Sequence, residues 1–219
     1  MRGRRIIAVW LMVCLLLAAG SACAQSSYQT LCSQNGVTSP DAGAWLEIPS
    51  VGLTLPVMQH PQDDAFYASH DARGNESPTG TLYTQPTYNR ADFSDPVTIV
   101  YGSSANEYAP YGRLQEWYSG SFDKCRTIYL HLPQETREYT VFAALPYSSI
   151  HILHYYDFSV ARRYDSFFST VFSTRALGMH LDESNKPAHG TGHVLILSAS
   201  LRGDKSQRYL VMAGQVTSR

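Results

Sequence analysis

The chain has 219 residues, of which 44% are hydrophobic and 16% are charged, and its formal net charge is −1. These values indicate about one globular domain with a sizeable core and exclude an intrinsically disordered chain. Setting aside the three arginines at positions 2, 4 and 5 changes the net charge to −4. A mildly acidic body without a basic stripe argues against nucleic acid as a partner.

The first 25 residues have the pattern of an export leader. A positive stretch containing Arg2, Arg4 and Arg5 precedes an apolar run over residues 6–19, and small residues follow it. Three fates fit this pattern: cleavage after Ala24, lipidation of Cys23, or retention of residues 6–24 as a membrane span. We therefore expect residues 1–25 to be a signal peptide or an N-terminal membrane anchor. The remainder of the chain is then extracytoplasmic and associated with the membrane or the cell surface.

Residues 26–42 are rich in Ser, Gln and Asn and contain a Pro-Asp turn signal, so they are predicted to be a polar linker. Two cysteines lie outside the leader, Cys32 and Cys125. In an oxidising compartment they can form a disulfide, and two free thiols are equally compatible with the sequence.

Beyond the linker, short β-like runs alternate with turn clusters, which indicates a closed β-barrel or a sandwich. The eight predicted strands cover residues 44–48, 53–57, 80–83, 97–101, 127–132, 138–145, 193–198 and 208–213. Two helices are predicted among them, at residues 111–118 and 159–176. The longer helix places five apolar side chains at helical spacing, which predicts a face that docks against the body: Tyr164, Phe167, Phe168, Val171 and Phe172.

A series of short motifs follows the chain in a distinctive order. The series is Trp45-Leu-Glu-Ile48, Leu55-Pro-Val-Met-Gln59, Asp63-Asp-Ala-Phe-Tyr67, His70-Asp-Ala-Arg-Gly74, Thr79-Gly-Thr-Leu-Tyr83, Val97-Thr-Ile-Val-Tyr-Gly102, Tyr111-Gly-Arg-Leu114, Val194-Leu-Ile-Leu-Ser-Ala-Ser200 and Arg208-Tyr-Leu-Val211. This order resembles the class B sortases, the Gram-positive cysteine transpeptidases that join surface proteins to the cell wall. The resemblance implies an all-β domain with added helices over residues 43–219. Its expected form is a sortase-like closed eight-stranded β-barrel with a long helix between the sixth and seventh strands.

The catalytic positions of that family can be carried over one by one. Its histidine falls on Ser103, its cysteine on Ser200 and its arginine on Arg208. In the family, a cysteine thiolate attacks a sorting signal to form a thioester, the histidine transfers protons, and the arginine stabilises the oxyanion or positions the substrate. The resemblance therefore implies a site in which only the arginine is retained.

The two serines predict a loss of this chemistry. A thiol titrates near pH 8.5 and supplies thiolate at neutral pH, whereas a serine hydroxyl needs an adjacent base. His193 shares the strand of Ser200 at an odd spacing, so the two side chains are expected on opposite faces. His151 and His154 precede the long helix, and either could serve as a non-standard base.

Three interpretations follow for function. In the first, the protein is a degenerate, catalytically inactive pseudo-transpeptidase of a Gram-positive cell surface that binds sorting-signal peptides or a partner sortase. In the alternative, it is an active serine-dependent peptidase or transpeptidase that uses Ser200. In the third, a working sortase has been disabled by deliberate substitution of both residues.

No cofactor or metal is expected. A cluster of His180, His189 and His193 with Asp182 and Glu183 nearby could suggest zinc, but these residues lie in or beside a Gly- and Pro-containing loop. Solvated loop histidines explain the cluster better. The glycines match neither a dinucleotide fingerprint nor a phosphate-binding loop.

Overall fold

The computed structural model describes residues 26–216. Its helices and strands, in chain order, are α1 (Ser27–Asn35), β1 (Ala42–Ile48), β2 (Leu53–Met58), β3 (Leu82–Tyr83), β4 (Val97–Tyr101), α2 (Leu114–Ser121), β5 (Thr127–His131), β6 (Thr136–Ser148), α3 (Ile152–Tyr155), α4 (Ala161–Ser173), β7 (His180–Leu181), β8 (Val194–Leu201) and β9 (Asp204–Gln215). Each of the eight predicted strands is present. The two-residue β7 is additional.

Eight of the strands form a closed barrel. They pair in the order β5-β1-β2-β3-β4-β8-β9-β6, and β5 closes the ring by pairing with β6. The pairs β2–β3 and β4–β8 are parallel, whereas the other pairs are antiparallel. The short β7 pairs with β6 alongside this ring. The prediction of a closed eight-stranded barrel is confirmed.

Alternation along β8 shows how the barrel separates two cores. Leu195, Leu197 and Ala199 point into the barrel interior, where they pack with apolar residues of the other strands. Val194 and Ile196 point outwards into a second apolar cluster, which the long helix covers. Even-numbered positions of β8 therefore lie on the outer face of the barrel wall.

Helix α4 supplies most of that cover. Its residues Tyr164, Phe167, Phe168 and Val171 are buried in the outer cluster, and Phe172 packs against the same cluster while half-buried. The docking face predicted from helical spacing is therefore confirmed, and α4 lies between the sixth predicted strand (β6) and the seventh (β8).

Within residues 26–42, which were predicted to be a polar linker, the structure has the nine-residue helix α1. Ser26 caps α1 by accepting the backbone N–H of Gln29, whose side chain in turn accepts the N–H of Ser26. Tyr28 and Leu31 pack against an apolar cluster that contains Trp45. The helix was not predicted because its composition is polar and its order depends on this cap and this contact.

The two cysteines of the body are free. Cys125 is buried in the barrel core, whereas Cys32 packs with the α1 cluster, where the indole Nε1 of Trp45 lies 3.2 Å from its sulfur. Of the two alternatives left open by the sequence, the structure has the unpaired thiols.

The predicted leader, residues 1–25, lies outside the described residues. Between residues 26 and 216, none of the helices combines the length and the apolar character that crossing a bilayer requires.

Candidate functional site

Parallel pairing of β4 with β8 brings two of the three predicted catalytic positions to one groove. Tyr101 is in register with Ser198, so the segments that follow both strands leave the barrel side by side. Ser103 lies two residues after β4 and Ser200 lies near the end of β8, and both line one groove of about 500 Å³. We call this the serine groove; its other lining residues are Ser104, Ala105, Asn106, Leu201, Arg202 and Gly203.

Hydrogen bonds fix the wall of the serine groove. The hydroxyl of Ser104 donates to the carbonyl of Ser200 at 2.9 Å, and the hydroxyl of Ser103 accepts the N–H of Ala105 at 3.2 Å. The side chain of Ser200 is exposed. Among the described residues, no hydrogen bond joins the hydroxyl of Ser103 or Ser200 to a histidine.

The third predicted position, Arg208, lies directly opposite Ser200 in the β8–β9 ladder, so both side chains leave the same face of the sheet. The guanidinium turns towards Ser198, donating from Nε to its hydroxyl at 3.0 Å and from Nη2 to its carbonyl at 3.2 Å. It also lies over the ring of Tyr101, 5.5 Å from the centroid. Burial lowers the pKa of Arg208, but an arginine titrates so far above neutrality that the charge remains.

Arg208 and Ser198 belong to a second cavity of about 200 Å³ on the outer face of the barrel, which we call the Arg208 cavity. Its other lining residues are Tyr83, Gln85, Ile99, Tyr101, Ser149, Ile150, His151 and Ile152. The rings of Tyr83 and Tyr101 stack with centroids 5.6 Å apart. Burial raises the pKa of both phenols, so both carry their protons at neutral pH.

His151, a candidate base from the sequence, lines the Arg208 cavity and not the serine groove. Its Nδ1 accepts the backbone N–H of His154 at 3.2 Å, which leaves the proton of the neutral ring on Nε2. That Nε2–H donates to Oε1 of Gln85 at 2.9 Å. Both nitrogens of His151 are therefore engaged in contacts that do not involve Ser200.

The other two candidate bases are placed elsewhere. His193 lies just before β8, at the end of the strand remote from Ser200, and its Nδ1 is 2.8 Å from the carbonyl oxygen of Asp95. His154 is exposed, and its ring packs edge-on against His151 with centroids 6.4 Å apart.

The loop histidines weighed as metal ligands have separate neighbours. His180 stacks on Phe122, and Nε2 of His189 lies 3.1 Å from the carbonyl of Phe158. Within residues 26–216, no group of three His, Cys, Asp or Glu side chains is arranged to hold a metal ion.

Of the ten lining residues of the Arg208 cavity, only His151 and Arg208 were singled out from the sequence; Ser198, Tyr83, Tyr101 and Gln85 are among those that were missed. Their proximity depends on the β3–β4 and β4–β8 pairings, which bring chain segments as much as about 100 residues apart into contact. The sequence signal that could have found part of this lining is a tyrosine at the end of each of two consecutive strands, Tyr83 in β3 and Tyr101 in β4.

Comparison with solved structures identifies the barrel. A mutant form of sortase B from Clostridium perfringens superposes with a TM-score of 0.72 at 18% identity, covering 86% of this chain and 89% of that one. Sortase B from Staphylococcus aureus gives 0.70 at 16% identity, with 97% of each chain covered. Sortase B from Bacillus anthracis, in complex with AAEK1, gives 0.69 at 19% identity, covering 89% and 88%.

No protein-family model and no curated protein sequence matches the chain. The structural matches cover almost the whole domain, and they establish its fold: the closed barrel with added helices is the fold of the sortase B structures.

Proposed function

We propose that this chain is an extracytoplasmic, membrane-associated protein of a Gram-positive cell surface that has the sortase fold without transpeptidase activity. Its cleft, formed by the serine groove and the Arg208 cavity, binds a sorting-signal peptide or a partner sortase.

The observation that carries the loss of activity is the surroundings of Ser200. The hydroxyl is exposed in a groove whose partner position is Ser103, and a second hydroxyl is no base at neutral pH. The candidate imidazole that lines the Arg208 cavity, His151, is bonded to His154 and Gln85. Removing the nucleophile or its base from a catalytic triad costs on the order of a million-fold in turnover.

Two features support retention of binding. The serine groove and the Arg208 cavity are lined by consecutive parts of β8, with Ser198 in one and Ser200 in the other. Arg208 remains charged at the wall of this cleft. In addition, one of the matching structures is a Staphylococcus aureus sortase B–substrate complex, with a TM-score of 0.69 at 16% identity.

Activity is tested on the full-length protein with a fluorophosphonate probe and with a library of sorting-signal peptides. We expect neither labelling of Ser200 nor cleavage or ligation, and the Ser200→Ala variant should be indistinguishable from the parent. Turnover or labelling that disappears in Ser200→Ala would instead identify an active serine enzyme.

Binding is tested by titrating the same peptides and a purified class B sortase into the full-length protein. Saturable binding below millimolar concentration is expected for at least one of them. Flat titrations with every peptide and with the sortase would reject the binding role while leaving the loss of activity untouched.

A further inference from the structure

The charge of Arg208 is uncompensated, which sets it apart from comparable arginines. Among residues 26–216, three arginines are partly buried: Arg126, Arg137 and Arg208. Arg126 pairs with Asp182, and Arg137 pairs with Glu135 at 2.6 Å. No ion pair forms between Arg208 and any carboxylate of the described residues. A partly desolvated cation without a counter-ion is an unfavourable arrangement that an anionic ligand would relieve.

The Arg208 cavity offers several hydrogen-bond donors that are not used within the described residues. Arg208 uses Nε and Nη2 on Ser198, and within the described residues Nη1 donates to no protein group. The phenols of Tyr83 and Tyr101 are protonated and likewise donate to no group described here. Because Oε1 of Gln85 accepts from His151, its amide NH₂ is the remaining polar group of that side chain.

The Asp64 carboxylate, which acts electrostatically on both tyrosines, does not neutralise this site. Asp64 contributes to the raised pKa of Tyr83 and of Tyr101, but it is not part of the cavity lining. Its Oδ1 accepts the backbone N–H of Thr87 at 3.0 Å. The lining therefore combines one guanidinium and several neutral donors with the apolar side chains of Ile99, Ile150 and Ile152.

We infer that the Arg208 cavity is a carboxylate pocket, which recognises an acidic side chain or a free C-terminus of a peptide lying in the cleft. The free edge of the guanidinium, formed by Nη1 and the second N–H of Nη2, matches the two oxygens of a carboxylate, and the isoleucines contact the aliphatic part that carries it. This inference rests on the proposed peptide-binding function and specifies its ligand: a peptide with a negative charge at this position in preference to a neutral one.

The test is a calorimetric titration of the full-length protein with matched blocked peptides. The probes are acetyl-Ala-Asp-Ala-amide, acetyl-Ala-Asn-Ala-amide and acetyl-Ala-Asn-Ala with a free C-terminus. We expect at least one carboxylate-bearing probe to bind roughly tenfold or more tightly than the neutral one, as is typical of a hydrogen bond to a charged group. The aspartate probe and the free-acid probe separate the two sources of the carboxylate.

Variants locate the preference in the cavity. Arg208→Gln is expected to abolish the difference between the charged and neutral probes, and Arg208→Lys to retain part of it, because the charge is kept and the fork is lost. Arg175→Gln, which removes an exposed arginine after α4, is the matched control and should leave the difference unchanged. Tyr101→Phe removes one hydrogen-bond donor without changing the charge, and it should weaken the binding of the charged probe more than the binding of the neutral one. Thermal unfolding checks that each variant is folded.

The outcomes separate this inference from the proposed function. Equal binding of charged and neutral probes by the parent protein overturns the carboxylate pocket and leaves peptide binding intact. N-acetylaspartate N-methylamide is titrated as a fourth probe, and its binding without binding of any tripeptide supports the pocket and contradicts the peptide cleft. Absence of binding by every probe overturns the carboxylate pocket, whereas the proposed binding function is rejected only by flat titrations with the sorting-signal peptides and the sortase.

Discussion

Arg208 reaches back along β8 to Ser198, the residue two positions before its own partner in the strand ladder. Its Nε lies 3.0 Å from the Ser198 hydroxyl, and Nη2 lies 3.2 Å from the Ser198 carbonyl. Ser200, which faces Arg208 in the ladder, lines the neighbouring serine groove. The contact therefore holds the guanidinium in the Arg208 cavity and links the last two strands of the barrel.

Replacing Ser198 by Ala is expected to lower the free energy of unfolding by about 1–3 kcal/mol, because the buried hydroxyl accepts a hydrogen bond from a charged group. Ser198 is 2% exposed, so solvent does not readily replace the lost acceptor. Chemical denaturation measures the change. Ser169→Ala, at an exposed position of α4, is the control and should shift stability by no more than about 0.5 kcal/mol. An equally small effect at Ser198 would mean that the Arg208 contact contributes nothing to stability.

Placing a thiol in the serine groove tests whether positions 103 and 200 lie close together. Ser200→Cys should be alkylated by iodoacetamide, since this position is exposed. Adding Ser103→His should raise the rate at pH 6.5 by about tenfold, because an adjacent imidazolium lowers a thiol pKa by a unit or more. Mass spectrometry of the peptide that carries position 200 distinguishes it from Cys32 and Cys125.

The control for this experiment is Ser169→Cys, made with and without Ser103→His. Its alkylation rate should be the same in both, because α4 covers the outer face of the barrel and does not line the serine groove. If Ser103→His also leaves the alkylation rate of the Ser200→Cys thiol unchanged, the two segments are not close enough for proton transfer.

Much of the barrel could be predicted from local sequence, because its strands are alternating or continuously apolar runs bounded by turn residues. Val97–Tyr101 was predicted with its observed bounds. His180–Leu181 was missed because two residues carry no periodicity, and its strand geometry comes from pairing with β6. The α1 helix was missed for the related reason that its apolar contacts are tertiary.

The candidate site was less predictable. Ser103, Ser200 and Arg208 could be named only by their place in a series of motifs, and nothing local predicts that Arg208 bonds to Ser198. A serine in an apolar strand is common and carries no signal of its own. Its role depends on the register of β8 against β9, which is a property of the assembled barrel.

Truncating Phe167 to Ala should destabilise the protein by about 3–5 kcal/mol, the range for removing a buried aromatic ring. The ring is fully buried and makes edge-to-face contacts with Tyr156 and Phe158, with centroids 5.1 and 5.2 Å away. Because α4 closes the outer cluster, we expect a matching fall in the thermal midpoint. A loss below about 1 kcal/mol would show that α4 is not an integral part of the fold.

The ion pair between Asp182 and Arg126 should make stability depend on pH in the acidic range. Hydrogen bonds from Ser184, Arg126 and Asn185 hold the pKa of the Asp182 carboxyl well below its usual range. The bond from Arg126 joins the segment after β7 to the residue before β5. At pH 7 we expect Asp182→Asn to lower the free energy of unfolding by about 1–2 kcal/mol, since the pair is partly exposed.

The sign of the pH effect follows from proton binding. The unfolded chain binds a proton at Asp182 near pH 4, whereas the folded protein binds it only at lower pH, so the stabilisation is complete above about pH 5. It should decline as pH falls below about 4 and through the folded-state pKa. Denaturation of the parent and of Asp182→Asn at pH 7, 5, 4 and 3 should therefore give curves that converge at the acidic end. For the control variant Asp165→Asn, at an exposed position of α4, the free energy of unfolding should differ from that of the parent by the same amount at every pH. If the difference in the free energy of unfolding between the parent and Asp182→Asn stayed constant down to pH 3, the charge of Asp182 would not be the cause of its stabilising effect.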